Sequence, residues 1–343
     1  MLHNTFCRRL AALVLTLAVA VSAVLPVFAV YPMPVQTATE TEAVYLFNAD
    51  TGKTILNQNA DQQKYVASLT KLMTALLLVE SGKDLNGEVT VPTDLTQEFK
   101  DIQNANGTTM GLRIGETVRR IDLLNAMLIV SANDAASVIA YDVGGSVLDF
   151  VKQMNARAHG LFDYGNVSTA QDLAKIAAAC AENQTFAQVA GTASYVLPAT
   201  NLRKAERTIS SSNSLMNSES ANYREYVKWV KGGFTTLAGR CTVAFAQQDG
   251  HSYGLVILGC DTPEHLFTEC DDLFDWAFAS FADRPLVDTK TVLTSVDLNK
   301  CRTEPSVELY AAAPVSGYGH SDDKVSYSFD LPESVSATVK EGQ

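Results

Sequence analysis

The apolar run that follows Ser68 constrains the fold of this chain most strongly. Residues 72–79 are mostly Leu, Met and Ala, and Gly82 is a typical C-terminal stop, so the sequence predicts a buried helix over about 67–81. Ser68 and Lys71 lie on one face of its first turn, where an amine beside a hydroxyl and free backbone amides would make an activated nucleophile. On this motif alone, a core helix with a solvated lysine is the favoured alternative.

The N-terminal residues predict export. Arg8 and Arg9 precede an apolar run from Leu10 to Leu25, and small residues up to Ala29 provide a cleavage position. This is the pattern of a signal peptide over 1–29, with an uncleaved membrane anchor as the alternative. A Pro- and Thr-containing linker over 30–41 would follow it.

The composition indicates that the residues after the predicted signal peptide form an acidic globular protein. About 310 residues suffice for one full-sized domain and a small one, which we place at 42–283 and 284–343. The net charge is −12, and no basic run occurs, so nucleic acid is not expected as a partner. No second apolar stretch is long enough to span a bilayer.

The cysteines allow one disulfide. Beyond the predicted signal there are five, an odd number: Cys180, Cys241, Cys260, Cys270 and Cys301. Two strand-like segments around Asp249-Gly250 predict a hairpin in which Cys241 and Cys260 lie opposite each other, either bonded or as free thiols. The nearest approach to a metal-ligand pattern, Cys260-x4-His265-x4-Cys270, matches no known spacing, so no metal and no cofactor are expected.

The remaining pattern predicts a mixed α+β chain. Beyond Cys180 we expect short strands and turns, then one amphipathic helix, and from about Val287 alternating residues predict a small all-β domain. The segments predicted upstream are a hairpin (43–47 and 54–56) and helices over 121–130, 134–141, 147–158 and from Thr169; the later helix is predicted over 269–281.

Three short motifs occur in order along the chain: Ser68-x-x-Lys71, Ser131-x-Asn133 and Lys231-Gly232-Gly233. Similar triplets occur elsewhere, but only Ser68 opens an apolar helix, and only Ser131 follows one helix and precedes another. With their flanking residues, these motifs resemble the D-alanyl-D-alanine carboxypeptidases, the low-molecular-mass penicillin-binding proteins. The resemblance runs from about residue 42 to the C-terminal β-rich region.

The resemblance implies a fold and an activity. The fold would be a β-lactamase/transpeptidase-like α+β domain, an antiparallel sheet flanked by helices, with a small C-terminal all-β domain. The activity would be that of an exported serine-type carboxypeptidase that removes the terminal D-Ala from peptidoglycan stem peptides. β-Lactams would acylate it, and it would act at the cell wall or the outer face of the membrane.

The resemblance also implies roles for the motif residues. Ser68 would attack the substrate carbonyl, Lys71 would take its proton, and Ser131 would relay a proton to the leaving amine. Asn133 would hold Lys71 and the substrate backbone, or cap the next helix, or both. The N–H groups of Ser68 and Phe234 would form the oxyanion hole, and Lys231 and Thr235 would bind the terminal D-Ala carboxylate. The substrate-binding residues would be Lys231, Gly232, Gly233, Phe234 and Thr235.

Two departures from the family pattern leave alternatives open. Gly232 stands where the family has a hydroxyl residue, which removes one hydrogen bond to the substrate carboxylate unless Thr235 replaces it. The segment between Asn155 and His159 is shorter than usual. A relative that binds peptidoglycan without turnover is therefore the alternative, and a β-lactamase is less favoured because no E-x-x-x-N element is obvious.

The C-terminal sequence bears on membrane contact. Many relatives end in an amphipathic helix, whereas this sequence ends in Thr338-Val-Lys-Glu-Gly-Gln343. We therefore expect a protein that is released or held by its wall substrate, with membrane contact at most through an uncleaved signal segment.

Overall fold

The computed structural model describes residues 42–157, 166–299 and 305–336. The chain divides into one compact unit that ends at Phe278 and a second that begins at Ala279. The predicted signal peptide, the linker, Cys301, part of the shortened segment and the last seven residues lie outside the described residues. Within the described ranges, no helix combines the length and apolar character needed to cross a bilayer.

The first unit contains both strands and helices. Its strands are β1 (Ala43–Asn48), β2 (Thr54–Gln58), β3 (Lys64–Tyr65), β4 (Glu88–Thr90), β5 (Thr117–Arg119), β6 (Val167–Ser168), β7 (Ser194–Leu197), β8 (Arg207–Ser210), β9 (Val227–Thr235), β10 (Gly239–Gln248) and β11 (His251–Cys260). Its helices are α1 (Lys71–Glu80), α2 (Thr96–Asn104), α3 (Arg120–Ile129), α4 (Asn133–Gly144), α5 (Val147–Arg157), α6 (Ala170–Glu182), α7 (Gln184–Ala190) and α8 (Pro263–Ser280), with 3-10 turns at Ala67–Thr70, Thr93–Leu95 and Ser214–Met216.

A five-stranded antiparallel sheet organises this unit. Its strand order is β2-β1-β11-β10-β9, so β9 lies at one edge. Asp249 and Gly250 join β10 to β11 with φ values of 51° and 83°, as a two-residue hairpin turn requires. The prediction of an antiparallel sheet flanked by helices is confirmed.

Helices cover both faces of this sheet. One face carries Tyr45 and Val256 into the main core, where α6 packs against β1 and β11. The other face carries Tyr253, whose ring lies 4.8 Å from that of Phe278 on α8, centroid to centroid. Because alternate residues of each strand face opposite ways, nearly every position in β1 and β11 is buried.

The predicted opposition of Cys241 and Cys260 is wrong. The two-residue turn pairs Gln248 with His251, and the register that follows places Leu258 opposite Cys241. A bulge then sets Cys260 opposite Arg240. The two thiols consequently have different neighbours, and both are free and buried.

Several helical segments differ from those predicted. The first turn of the predicted 67–81 helix is a 3-10 turn, and α1 begins only at Lys71. Beyond Cys180 a further helix, α7, forms where we expected only strands and turns, because the Asn183 side chain accepts the N–H of Phe186 and caps it. The helix predicted over 269–281 begins earlier, at Pro263, and Phe281 belongs to a strand.

The second unit is built from short strands: β12 (Phe281–Val287), β13 (Thr294–Asn299), β14 (Ser306–Leu309), β15 (Val315–His320) and β16 (Ser334–Ser336). β12 pairs with β15, and β13 lies between β14 and β16. Phe281 is buried and stacks near Tyr318. The short strands of the second unit agree with the sequence pattern. The domain boundary between residues 283 and 284 stays a prediction.

Candidate active site

Ser68 lies in the 3-10 turn directly before α1, at the edge of the core. The preceding residue, Ala67, has φ = 47°, a left-handed conformation that is strained for a residue with a side chain. Asn166 supports this turn: its Nδ2 donates to the Ala67 carbonyl at 3.3 Å, and its Oδ1 accepts a short hydrogen bond from Thr70. Leu69 is fully buried and anchors the turn, while Ser68 remains partly exposed.

Lys71 places its amine beside the Ser68 hydroxyl. Its Nζ donates to Ser68 Oγ at 2.9 Å and to Asn133 Oδ1 at 2.7 Å, and lies 3.4 Å from Ser131 Oγ. Burial lowers the pKa of Lys71 to about 8, although the nearby carboxylate of Asp134 acts to raise it. A lysine with this pKa is partly neutral near pH 7 and can accept a proton.

Ser131 and Asn133 lie at the junction between α3 and α4. Ser131 has φ = 59°, so it too adopts a strained conformation next to the nucleophile. Asn133 is tied down through Thr108, whose carbonyl accepts both its backbone N–H at 2.8 Å and its Nδ2 at 3.0 Å. The alternative that Asn133 caps α4 is wrong, because Ala132 occupies the cap and Asn133 is the first helical residue.

Asp134 is a supporting residue that the sequence reasoning missed. It is buried, and its two carboxylate oxygens accept the backbone N–H groups of Met110 and Leu112 at 2.9 and 2.8 Å. These bonds hold the 108–112 segment, including the Thr108 carbonyl, against the start of α4. The signal available was an acidic residue in the first turn of a predicted helix, directly after Asn133.

Lys231 approaches the same site from β9. Its Nζ donates to Ser131 Oγ at 3.0 Å and to the Gly232 carbonyl at 2.6 Å, and its side chain is buried. Burial, reinforced by the positive charge of Lys71, lowers the pKa of Lys231 to about 7. Ser131 Oγ therefore lies between two buried amines, and the protons of this group titrate together.

Gly233 lets the edge strand lie directly against the nucleophile turn. A Cβ at this position would lie 2.9 Å from the Ser68 backbone N and 3.3 Å from the Val66 carbonyl, too close for any side chain. The next residue, Phe234, is 56% exposed at the mouth of the site. Thr235 is exposed, and its Oγ1 accepts the N–H of Ala238 at 3.0 Å in the turn to β10.

The predicted residues fall into two groups. Five side chains form one connected hydrogen-bond network around the hydroxyl: Ser68, Lys71, Ser131, Asn133 and Lys231. Gly232, Gly233, Phe234 and Thr235 follow Lys231 along the edge strand. A hydroxyl beside a partly neutral amine, backed by a second cation, is suited to acyl transfer through a covalent intermediate.

A separate buried cluster carries possible metal ligands. Glu42, Cys260 and Glu269 bring one ligand atom each within 4.8 Å of one another. His265, part of the spacing noted in the sequence, is exposed and contacts Asp261 instead. The cluster contains none of the residues around Ser68, and we assign no ion to it.

Comparison with protein families identifies the class. The model of the D-alanyl-D-alanine carboxypeptidases, Peptidase_S11, matches residues 32–262, more than half of the chain. The chain belongs to this family. It is a serine peptidase by class.

Individual relatives carry several activity names. The chain is 26% identical to the D-alanyl-D-alanine carboxypeptidase DacF of Bacillus subtilis over 89% of this chain and 80% of the relative. It is 29% identical to a D-alanyl-D-alanine endopeptidase of Pseudomonas aeruginosa over 76% of this chain and 84% of that one. Both named activities concern D-alanyl-D-alanine.

Solved structures agree with the family. The Streptomyces K15 DD-transpeptidase matches with a TM-score of 0.65 at 25% identity, over 72% of this chain and all of that one. The D-alanyl-D-alanine carboxypeptidase of Mycobacterium tuberculosis matches with a TM-score of 0.62 at 25% identity, over 73% of this chain and 94% of that one. The α+β fold of this S11 family member is thus that of the penicillin-binding enzymes.

Proposed function

We propose that this S11 family member removes the terminal D-Ala from peptidoglycan stem peptides through an acyl-enzyme on Ser68. The observation that carries the proposal is the 2.9 Å contact between Ser68 Oγ and the buried amine of Lys71, whose pKa is lowered to about 8. A weak nucleophile becomes reactive when a neutral base lies within hydrogen-bond distance.

The first chemical step would form a tetrahedral intermediate on the serine. Lys71 Nζ takes the hydroxyl proton while Ser68 Oγ attacks the carbonyl carbon between the two D-Ala residues. The backbone N–H groups of Ser68 and Phe234 stabilise the developing oxyanion, a contribution that is typically worth about 10²- to 10³-fold in rate for one donor. The close approach at Gly233 supports this pairing, because it brings β9 against the Ser68 amide.

The second step would expel D-Ala and release the product. Ser131 donates its hydroxyl proton to the leaving nitrogen and recovers one from Lys71, which lies 3.4 Å away. Cleavage of the C–N bond leaves an ester on Ser68. Water then attacks this ester with Lys71 again accepting the proton, and Lys71 returns this proton to Ser68 Oγ as the C–O bond breaks and the shortened stem peptide leaves.

Substrate recognition would depend on the terminal carboxylate. Lys231 supplies a buried positive charge beside Ser131, and Thr235 adds a hydroxyl further along the strand. In a protein with a net charge of −12, this local cation gives an anionic peptide a defined binding point. Binding the carboxylate raises the pKa of Lys231 and keeps its proton there, which leaves Lys71 as the base.

The family and its chemistry also imply where the protein acts and what inhibits it. Peptidoglycan lies outside the cytoplasm, so we propose export through the predicted signal peptide over 1–29. β-Lactams would acylate Ser68 in place of the peptide.

One assay distinguishes a carboxypeptidase from a protein that binds peptidoglycan without turnover. The second possibility follows mainly from Gly232, which lacks the hydroxyl of the family pattern. Purified protein is incubated with a fluorescent penicillin and, separately, with diacetyl-L-Lys-D-Ala-D-Ala. We expect covalent labelling and D-Ala release, both lost in Ser68→Ala. Absence of both in the parent would support the binder, whereas rapid penicillin hydrolysis without D-Ala release would indicate a β-lactamase.

A further inference from the structure

Gly232 leaves an open position beside the buried amine of Lys231. Its backbone does not have a positive φ, so the conformation itself does not require glycine. A Cβ built there meets no atom closer than 3.8 Å, and its nearest neighbour is Nδ2 of Asn213. A side chain at 232 would therefore fit, and it would point towards that amide group.

Asn213 presents its amide in a fixed orientation. Its Oδ1 accepts the backbone N–H of Leu215 at 3.0 Å and caps the 3-10 turn Ser214–Met216. Leu215 is buried and holds this turn against the body of the unit. Since the amide oxygen is used by the cap, the NH2 group is the one that faces Gly232 as a donor.

This donor is available to a ligand. Within the described residues, Asn213 Nδ2 makes no hydrogen bond, and the side chain is only half-buried. It lies beside Gly232, the residue that follows Lys231 on β9. An amide donor next to the position where the hydroxyl is missing suits a carboxylate anion.

We propose that Asn213 donates a hydrogen bond to the terminal carboxylate of the substrate, in the place of the hydroxyl that position 232 lacks. This inference rests on the proposed function and names a further specificity residue for it. Thr235 is less well placed for the same task. It lies three residues, about 10 Å, further along the strand than the position of the missing hydroxyl.

A double-mutant cycle tests whether the Asn213 amide takes the place of a hydroxyl at position 232 as hydrogen-bond donor. In the parent, Asn213→Ala is expected to lower kcat/KM for diacetyl-L-Lys-D-Ala-D-Ala about ten- to hundredfold, as loss of a hydrogen bond to a charged group predicts. In the Gly232→Thr background the new hydroxyl serves the carboxylate, so the same change should cost less than about threefold. Equal losses in both backgrounds, or no loss in the parent, would overturn the proposal.

Two controls separate recognition from folding. Asn213→Asp keeps the oxygen that caps the turn but replaces the donor with a negative charge, so it should lose at least as much activity as Asn213→Ala. Asn217 is exposed, and its Oδ1 also accepts a backbone N–H two residues on, that of Glu219 at 3.1 Å. Asn217→Ala should leave kcat/KM unchanged, and a loss equal to that of Asn213→Ala would point to loop disruption instead.

An inhibitor without the carboxylate provides the second readout. An acyl-D-Ala boronic acid forms a tetrahedral adduct with a serine but carries no second D-Ala, so its inhibition constant should not change in Asn213→Ala. A parallel loss of boronate affinity and kcat/KM would assign Asn213 a structural role.

The test also distinguishes this inference from the proposed function. If the parent releases no D-Ala but is labelled by penicillin, the acylation rate with that carboxylate-bearing β-lactam replaces kcat/KM in the cycle, with the same expected pattern. If Ser68 reacts with neither, both the function and this inference fail. If the parent releases D-Ala and Asn213→Ala has the same kcat/KM as the parent, this inference is refuted but the proposed function is not.

Discussion

At the scale of single residues, the site combines buried cations with backbone strain. Ala67 and Ser131 both adopt left-handed φ values next to the proposed nucleophile. Such conformations cost about 1–3 kcal/mol each, and they persist because the surrounding contacts enforce them. Glycine at 233 has the opposite role, since it removes a side chain where the strand must touch the Ser68 amide.

Gly233→Ala is expected to lower the rate of penicillin acylation by about 10²-fold. The new Cβ would lie 2.9 Å from the Ser68 N, so the strand must move away and take the second oxyanion donor with it. Gly232→Ala is the matched control one residue earlier, because its Cβ would meet only ordinary contacts at 3.8 Å or more. Equal rates for the two variants, measured by stopped-flow labelling, would contradict this account.

The pH dependence of kcat/KM should be bell-shaped, with a maximum between about pH 7 and 8. The pKa values of Lys231 and Lys71 are lowered to about 7 and about 8, and the reactive form carries one proton on the pair. Below this window both amines are protonated and no base is available. Above it both are neutral, and the cation that binds the carboxylate is lost.

This profile is measured by D-Ala release from pH 5.5 to 10, with a parallel stability measurement to exclude unfolding. A rate that rises steadily to pH 10 would show that a charged Lys231 is not needed.

At the scale of elements, the site depends on how three separate segments are held together. The nucleophile turn precedes α1, Ser131 and Asn133 begin α4, and Lys231 comes from β9. Buried polar contacts fix these joints: Asp134 ties the start of α4 to residues 110 and 112, and Asn166 holds the nucleophile turn. Neither residue carries out chemistry in the proposal, yet both determine where the reacting groups lie.

Asp134→Ala should destabilise the protein by about 2–6 kcal/mol, because it leaves two buried N–H groups without an acceptor at about 1–3 kcal/mol each. Asp149→Ala is the control: Asp149 also lies in the first turn of a helix, but it is exposed and contacts Lys152 on the surface. Urea unfolding of both variants measures the difference. If Asp134→Ala lowers the free energy of unfolding no more than Asp149→Ala does, the hydrogen bonds of Asp134 to residues 110 and 112 do not stabilise the protein.

At the scale of the whole molecule, all proposed reacting groups lie in the first compact unit. The second unit, from Ala279 onward, is a set of short strands whose own packing includes Phe281 and Tyr318. The overall negative charge makes non-specific binding to anionic polymers unfavourable, so the buried lysines act only within their own cleft.

A variant that ends at Asp283 tests the proposed domain division. We expect it to fold and to be labelled by fluorescent penicillin within about twofold of the parent rate, since a domain with its own core can fold alone. Circular dichroism checks folding before the labelling assay. An unfolded product, or a folded one that no longer reacts, would show that the β-rich unit is needed for the activity.

The sequence by itself determined the family, the α+β class and the order of the motifs, because these depend on residue type and short spacing. It also identified the network residues as candidates, since Ser68 and Lys71 are close on any helical turn. The prediction from sequence was wrong where the structure depends on pairing between residues that are far apart along the chain. The cysteine pairing failed because one bulge and the centre of one turn set the register of a whole hairpin.

Only the tertiary structure decided which groups face one another. Asp134, Asn166 and Asn213 carry no motif, and each matters through a contact with a segment more than 18 residues away along the chain. Side chains of Asn and Asp form similar turns and caps throughout any protein, so local pattern cannot single these three out. Chain folding brings them to the site, and that proximity is a property of the packed structure, not of the sequence around each residue.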